Sequence, residues 1–526
     1  MTTPDLRAAG AAVDLASSLV EQAARHLKTQ GSLDDHQQIA YDLAHAASAI
    51  ASAKAMLQYG SLGPTEAALS VAFVADAIHD LASKVLGRES LWGIKPGVLD
   101  GAMAFVVTYR DPEFMASLAN EAGPRHLDSD FEMVQDTFRR FAEEKIRPEA
   151  EHIHRTNGDI PEHIISGLAE IGSFGLSVPE EYEGYAAGGE SDYIGMVVAT
   201  EELSRGSLGI GGSLITRPEI LTRALVRGGT EEQKREWLPK LASGEVMAAV
   251  AVTEPDFGSD VAGLKVTATP TEDGWKINGV KTWCTFAARA DVLMLLARTD
   301  PDRSKAHKGL SLFVVPKPRG EGHGFAFTQP EGGKMEGRAI DTIGYRGMHS
   351  YEVSFEEWIV SKESLIGGED GLGKGFYYQM EGFENGRLQT AARAIGVMQA
   401  AYEAACQYAL DRTVFGHPVG DYQLTKIKLA RMAILIQAGR QFAYEVAKLM
   451  AKGEGALEAS MVKAYVCKAA EWVTREALQI HGGMGYAEEF PVSRYFVDAR
   501  VLSIFEGADE TLCLKIIARR LVENSK

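Results

Sequence analysis

Apolar positions follow a helical period through residues 1–125, in runs such as Leu15-Ala16-Ser17-Ser18-Leu19-Val20-Glu21, and alanine is abundant there. Alanine is the best helix former and lets helices pack closely, so this stretch predicts a bundle. Gly31-Ser32, Gly60-Ser61-Leu62-Gly63-Pro64 and Gly93-Ile94-Lys95-Pro96-Gly97 break it into about four helical pieces. No grouping of His, Asp, Glu, Ser or Cys in it suggests chemistry, which points to a packing or assembly domain.

The Gly123-Pro124 pair marks a seam, and Asp130 opens an amphipathic stretch with Phe131, Val134, Phe138, Phe141 and Ile146 on its apolar face. A second helical domain, 126–245, follows. Over 246–367 the period shortens to two. Lys265 to Thr269, an Asp273-Gly274 turn, Trp275 to Ile277, an Asn278-Gly279 turn and Val280 to Trp283 predict strands joined by tight hairpins. Leu310 to Val315, Tyr351 to Phe355 and a short strand at Phe325 and Phe327 extend this sheet. Helical periodicity returns over 368–526. The expected fold is mainly α with a central antiparallel β domain, in the order helical, helical, sheet, helical.

A length of 526 residues suits such a division, at about 150 residues per domain. With 45% hydrophobic and 24% charged residues, disorder, collagen and coiled coil are poor readings. The formal charge of −18 opposes steering onto nucleic acid or anionic membranes, so an anionic ligand must be held by local cations and backbone N–H groups. Cys284, Cys406, Cys467 and Cys513 lie far apart without zinc-type spacing, which predicts buried thiols and no metal site. Asp5 and Asp14 interrupt any secretory start, and no apolar run approaches about 18 residues. The expectation is a cytoplasmic, reduced protein without membrane insertion.

Four motifs bear on chemistry. Gly371-Leu372-Gly373-Lys374-Gly375 has the wrong spacing and context for a dinucleotide fingerprint and reads as the turn into the last helical domain. Val252-Thr253-Glu254-Pro255, running on to Gly258-Ser259-Asp260, offers uncrowded backbone and a hydroxyl at a sheet mouth, and serves equally as a turn or as a ligand loop. Gln479-Ile480-His481-Gly482-Gly483-Met484-Gly485-Tyr486 is a helix end at a glycine cluster, where another chain or a cofactor can approach. Ile504-Phe505-Glu506-Gly507 sets a carboxylate in an apolar run, an environment that suits a general base, although most lone glutamates are solvated.

Together these runs resemble the signatures of the acyl-CoA dehydrogenases. Further matches are Pro179-Glu180-Glu181-Tyr182-Glu183-Gly184, Glu201-Glu202-Leu203-Ser204-Arg205, Asn278-Gly279-Val280-Lys281-Thr282-Trp283 and Arg412-Thr413-Val414-Phe415-Gly416, in the family's order over about 126–526. The resemblance implies an α domain, a β-barrel-like domain and a C-terminal four-helix bundle, to which residues 1–125 are an addition.

It also implies FAD and an acyl-CoA thioester as ligands. Glu506 stands where the family's base removes the α-proton while the β-hydrogen leaves as hydride to flavin N5. Val252, Thr253, Trp283 and Thr285 match contacts to the flavin ring, although Trp283 read alone suits a sheet core as well. Arg412, Phe415 and Gln423 match contacts to the pyrophosphate and adenine of an FAD held mainly by another subunit, with Gln479, Gly482 and Gly483 from the opposite side. Ala508, Asp509 and Glu510 depart from the usual Thr-x-Gln after the glutamate and glycine. Ser259, Glu384 and Arg387 match the CoA side. The extra N-terminal domain, together with the overall run of the sequence, narrows the resemblance to members acting on a short branched dicarboxylic acyl-CoA, whose buried carboxylate needs a cation or several donors; Arg205, Arg217 and Arg223 lie in the segment that lines the acyl end in relatives. Electron-transferring flavoprotein is the expected acceptor, and a homodimer rather than a tetramer the expected assembly. The alternatives are a dehydrogenase or oxidase for another short acyl-CoA, isobutyryl-, butyryl- or glutaryl-like, and a catalytically silent scaffold.

Overall fold

The computed structural model describes residues 2–525. The chain forms two compact units, Met1–Asp136 with Thr390–Lys526, and Thr137–Gln389. The first begins with α1 (Leu6–Thr29), α2 (Gln37–Gly60), α3 (Pro64–Val85), α4 (Asp100–Tyr109) and the short α5 (Pro112–Ser117). Their boundaries fall at the expected Gly/Pro breaks, sharpened by Asp5 and Asp111 side chains that cap α1 and α5 and by Pro64 and Pro112 in first turns. α2 buries small residues around most of its circumference, Ser48 and Ser52 included, as a helix enclosed on several sides must.

Helix α6 (Ser129–Phe141) runs through a π-helical turn at Ala142–Ile146 into α7 (Arg147–Thr156), followed by α8 (Glu162–Glu170), α9 (Glu190–Gly206), α10 (Thr216–Gly228) and α11 (Glu231–Ser243). A Thr230/Gln233 capping box starts α11, and Gly244 in the left-handed region ends it. The sheet has eight strands: β1 (Ala248–Ala251), β2 (Thr267–Pro270), β3 (Gly274–Thr285), β4 (Val292–Arg298), β5 (Leu310–Pro316), β6 (Gly324–Thr328), β7 (Lys334–Ile340) and β8 (Ser350–Ser361). Their order is β1-β4-β2-β3-β8-β7-β6, with β5 also on β4.

Two features depart from the antiparallel expectation. β4 is buried at every position and pairs parallel with β1 and β2, so its continuous apolar run belongs to the middle of the sheet. Asn278-Gly279 is not a hairpin turn. It lies inside the single strand β3, where the register with β8 shifts between Ile277 and Gly279; Gly279 takes φ +129°, and the Asn278 side chain accepts the Glu357 N–H at 2.8 Å. The Asp273-Gly274 hairpin joins β2 to β3 as expected.

The chain then enters α12 (Gly375–Asp411), which the Gly371 to Gly375 loop introduces, and a two-stranded hairpin of β9 (Thr413–Val414) and β10 (His417–Pro418). Next come α13 (Gln423–Ala451), α14 (Ala456–His481), α15 (Val492–Leu502), and α16 (Asp509–Thr511), which continues through a π-helical stretch into α17 (Arg519–Asn524). Within the first unit α2 packs on α13, α14 and the Leu512–Ala518 stretch, and α5 packs on α13. The 123–124 seam is tacked to this bundle: Gln437 Nε2 donates to the Ala122 and Gly123 carbonyls at 2.8 and 2.7 Å, and Arg431 pairs with Asp76 at 3.0 Å. The N-terminal helices and the C-terminal bundle thus pack together as one compact unit.

Candidate functional site

In the Thr137–Gln389 unit, the loop after β1 is pinned to β3 from beneath. Lys281, fully buried, donates from Nζ to Val252 O at 2.8 Å and to Glu254 Oε1 at 2.9 Å. Glu254 also accepts the Lys265 and Val266 N–H groups at 2.7 and 2.9 Å, and Thr282 N–H donates to Thr253 O at 2.8 Å. Burial pushes the Lys281 ammonium down to about 8 against the pull of Glu254. A charge pair withdrawn from water this far costs stability unless its geometry is nearly complete, and here it is.

The second register shift in β3, between Lys281 and Cys284, throws Trp283 outward at φ +58°. The indole is 54% exposed, so Trp283 is not core packing. Two residues on, the Thr285 hydroxyl is buried 2.9 Å from Ser350 Oγ. The Thr282–Thr253 bond thus brings Val252 and Thr253 beside the end of β3 that carries Trp283 and Thr285, where the exposed indole offers an aromatic face. Ser259 lies on an exposed loop before β2.

The three arginines of the acyl-end segment differ. Arg205, at the end of α9, pairs with Glu143 at 2.5 Å. Arg217, 7% exposed on α10, donates to the Tyr345 hydroxyl at 3.4 Å. Arg223 pairs with Glu219 at 3.4 Å and lies 4.8 Å over the Tyr193 ring. Glu219 itself is buried and accepts from Ser177, Asn385 and Gln389, which ties α10 to the start of α12 where Glu384 and buried Arg387 sit.

The other unit carries the carboxylate. Glu506 lies just beyond α15 at φ +54°, followed by Gly507 at φ +97°. Left-handed backbone is unfavourable for glutamate and persists only where surroundings enforce it. Its side chain is 5% exposed, with Arg393 NH2 at 4.0 Å from Oε1. Arg393 is fully buried on α12, donates to Thr390 Oγ1 at 2.6 Å and stacks over Phe505 at 4.7 Å. Lys463 Nζ donates to the Gly507 carbonyl at 2.5 Å. Asp509, where the family pattern is broken, is buried against Tyr41 and His45 of α2. His45, Asp509 and Cys513 hold donor atoms within 4.8 Å of one another, a spacing accounted for by these hydrogen bonds.

Arg412, Phe415, Gln423, Gln479, Gly482 and Gly483 are all exposed on this unit. Phe415, at the β9–β10 turn, is 96% exposed at φ +49°, a strained and solvated aromatic that its own chain does not use. A Cβ added at Gly482 or Gly483 meets nothing within 4 Å.

Sequence reasoning missed Lys281, Arg393 and Glu219. All three are buried ionisable residues, and only Arg393, within Ala391-Ala392-Arg393-Ala394-Ile395, interrupts an apolar run in a way that gave a signal.

Family models described as acyl-CoA dehydrogenase N-terminal, middle and C-terminal domains match residues 128–245, 249–358 and 373–522. The chain is 45% identical over 402 residues to (2S)-methylsuccinyl-CoA dehydrogenase of Cereibacter sphaeroides, covering 76% of this chain and 71% of that one. It is 33% identical over 399 residues to the mitochondrial short-chain specific acyl-CoA dehydrogenase of Bos taurus, covering 76% and 91%. A solved glutaryl-coenzyme A dehydrogenase in complex with glutaryl-CoA superposes with a TM-score of 0.69 at 30% identity, over 76% of this chain and 97% of that one.

Proposed function

The chain belongs to the acyl-CoA dehydrogenase family, and on that footing we propose that it oxidises (2S)-methylsuccinyl-CoA to mesaconyl-CoA, with FAD as cofactor and electron-transferring flavoprotein as acceptor. The observation that carries the substrate is the 45% identity to a methylsuccinyl-CoA enzyme, against 33% to the short-chain relative.

The chain's own groups suit the reaction. An α-proton beside a thioester is weakly acidic, so its removal needs a carboxylate shielded from water and donors at the developing enolate oxygen. Glu506, with its side chain 5% exposed, is the base in this reading, and its peptide N–H a donor to the thioester oxygen. The exposed Trp283 face, the Thr285 hydroxyl and the pinned 252–253 backbone fit the isoalloxazine ring of FAD. Arg412, Phe415, Gln423, Gln479, Gly482 and Gly483 fit a cofactor shared with a second copy, since all face outward. When bound, FAD supplies the hydride acceptor. Ser259, Glu384 and Arg387 take the CoA side, and the Arg205, Arg217 and Arg223 segment the distal carboxylate.

Anaerobic addition of an acyl-CoA panel to the yellow protein tests this. Methylsuccinyl-CoA is expected to bleach the flavin and isobutyryl-CoA to leave it oxidised; the reverse overturns the substrate. Peroxide release in air distinguishes an oxidase, and a colourless protein a scaffold.

A further inference from the structure

The N-terminal helices reach the loop that carries the proposed base. Asp509, three residues beyond Glu506, is 3% exposed and accepts hydrogen bonds from Tyr41 OH at 2.5 Å and His45 Nε2 at 3.1 Å, both on α2. Its peptide N–H donates to Ser503 O at 3.0 Å and closes the 503–509 loop on itself. Glu506 and Gly507 sit at the crown of that loop, both in left-handed backbone.

We propose that Tyr41 and His45 are positioning residues for catalysis, and that through Asp509 they hold the Glu506 loop in its strained, reactive conformation. This rests on the reading of Glu506 as the base. The physical argument begins with cost. A glutamate at φ +54° and an adjoining turn at φ +97° relax toward ordinary backbone unless both ends of the loop are fixed. One end is fixed by α15 and by Ser503, whose hydroxyl donates to Glu471. At the other, Lys463 Nζ holds the Gly507 carbonyl, and a second device holds the chain beyond it at Asp509. The buried carboxylate supplies that device, because a charge with two donors aimed at it is confined far more tightly than a solvated one. Tyr41 and His45 are one helical turn apart on α2, so both reach the same carboxylate from one face. The ring of Tyr41 packs edge-on against His45 at 4.7 Å, which limits the rotamers of each.

A base misplaced by about 1 Å loses up to about a hundredfold in rate. Tyr41→Phe with His45→Leu is therefore expected to slow anaerobic flavin bleaching by methylsuccinyl-CoA between about tenfold and about a hundredfold. KM and flavin content are expected to stay near those of the unaltered protein, while Tm falls by the few degrees that a buried carboxylate deprived of two donors costs. The comparison variant is Lys515→Ala, which breaks the exposed 2.6 Å pair between Lys515 and Asp34 elsewhere on the same body and is expected to leave the rate unchanged. An unslowed double variant overturns the proposal. A rate loss matched by equal loss of flavin, or reproduced by Lys515→Ala, also overturns it, because it reports general docking of the N-terminal helices. Failure of the underlying reading is separate: unaltered protein then bleaches with no acyl-CoA, or Glu506→Gln bleaches as fast as unaltered protein.

Discussion

Arg393 holds its guanidinium, entirely withdrawn from solvent, 4.0 Å from the carboxylate of Glu506 while stacking on the ring of the intervening neighbour, Phe505. A cation and an anion buried together are individually costly and jointly tolerable, so removing one partner costs more than removing both. Arg393→Met is expected to destabilise the protein by about 3 kcal/mol. Adding Glu506→Gln to that background is expected to restore part of the loss. Urea unfolding of the four proteins of the cycle measures this, and strictly additive effects would show that the two groups do not interact.

Glu506→Gln alone keeps the shape of the side chain and removes its capacity to take a proton. General-base contributions run from about a hundredfold to about ten-thousandfold, and the rate of flavin bleaching is expected to fall by that much. The cofactor should stay bound, since the cofactor contacts proposed above lie on other residues. Stopped-flow absorbance on the anaerobic protein checks both halves.

Much of this arrangement could be read from residue order, and the part that could not has a common cause. Helix boundaries at Gly60 to Pro64 and the hairpin at Asp273-Gly274 follow from local backbone preferences. Asn278-Gly279 misleads because the same residues serve a turn and a bulge, and only the pairing of β3 with β8 decides between them. The burial of the Glu506 side chain is legible from its apolar neighbours. The roles of Arg393 and Asp509 are not, since what gives them meaning is proximity across the fold, to Phe505 and to Tyr41, which no local spacing encodes.

The glycines at 482 and 483 separate binding from folding. Gly482 takes φ +58°, so any side chain there strains the backbone, whereas Gly483 has no such restriction and an added Cβ meets nothing. Gly483→Leu is expected to leave the Tm of flavin-stripped protein unchanged within about 0.5 kcal/mol of stability, while weakening FAD retention at least about tenfold. Flavin fluorescence during dilution reads the second quantity. Unaltered retention would place the cofactor elsewhere.

Lys317 gives a pH dependence of known sign. It is 7% exposed, donates to the Ala288 and Pro318 carbonyls at 2.9 and 2.7 Å, and lies 5.0 Å from the Phe325 ring. Burial pushes it down to about 8 from an ordinary 10.5. Between those values the unfolded chain holds the proton and the folded one has released it, so the contribution of Lys317 to stability rises with pH across the window. Other buried groups titrate nearby, and comparison with Lys317→Met removes them. The Tm of the unaltered protein minus that of the variant is expected to climb from about pH 8 to about pH 10.5 and to be flat below.

The outward-facing residues predict the assembly. Phe415 is 96% exposed, Leu410 and Leu424 each 67% and Tyr486 87%, an apolar set on one unit that solvation alone leaves unexplained. On the same body α2 and α5 already cover α13, and α2 covers α14, so those faces of the C-terminal bundle are closed to a second copy. With these apolar residues left to cover and the faces under α2 and α5 already covered by the chain itself, the proposed assembly is a homodimer, and light scattering is expected to report two chains per particle. Phe415→Asp places a charge in the remaining face and is expected to shift the particle toward one chain with concurrent loss of flavin. Four chains per particle in the unaltered protein would mean that the N-terminal helices do not close that face.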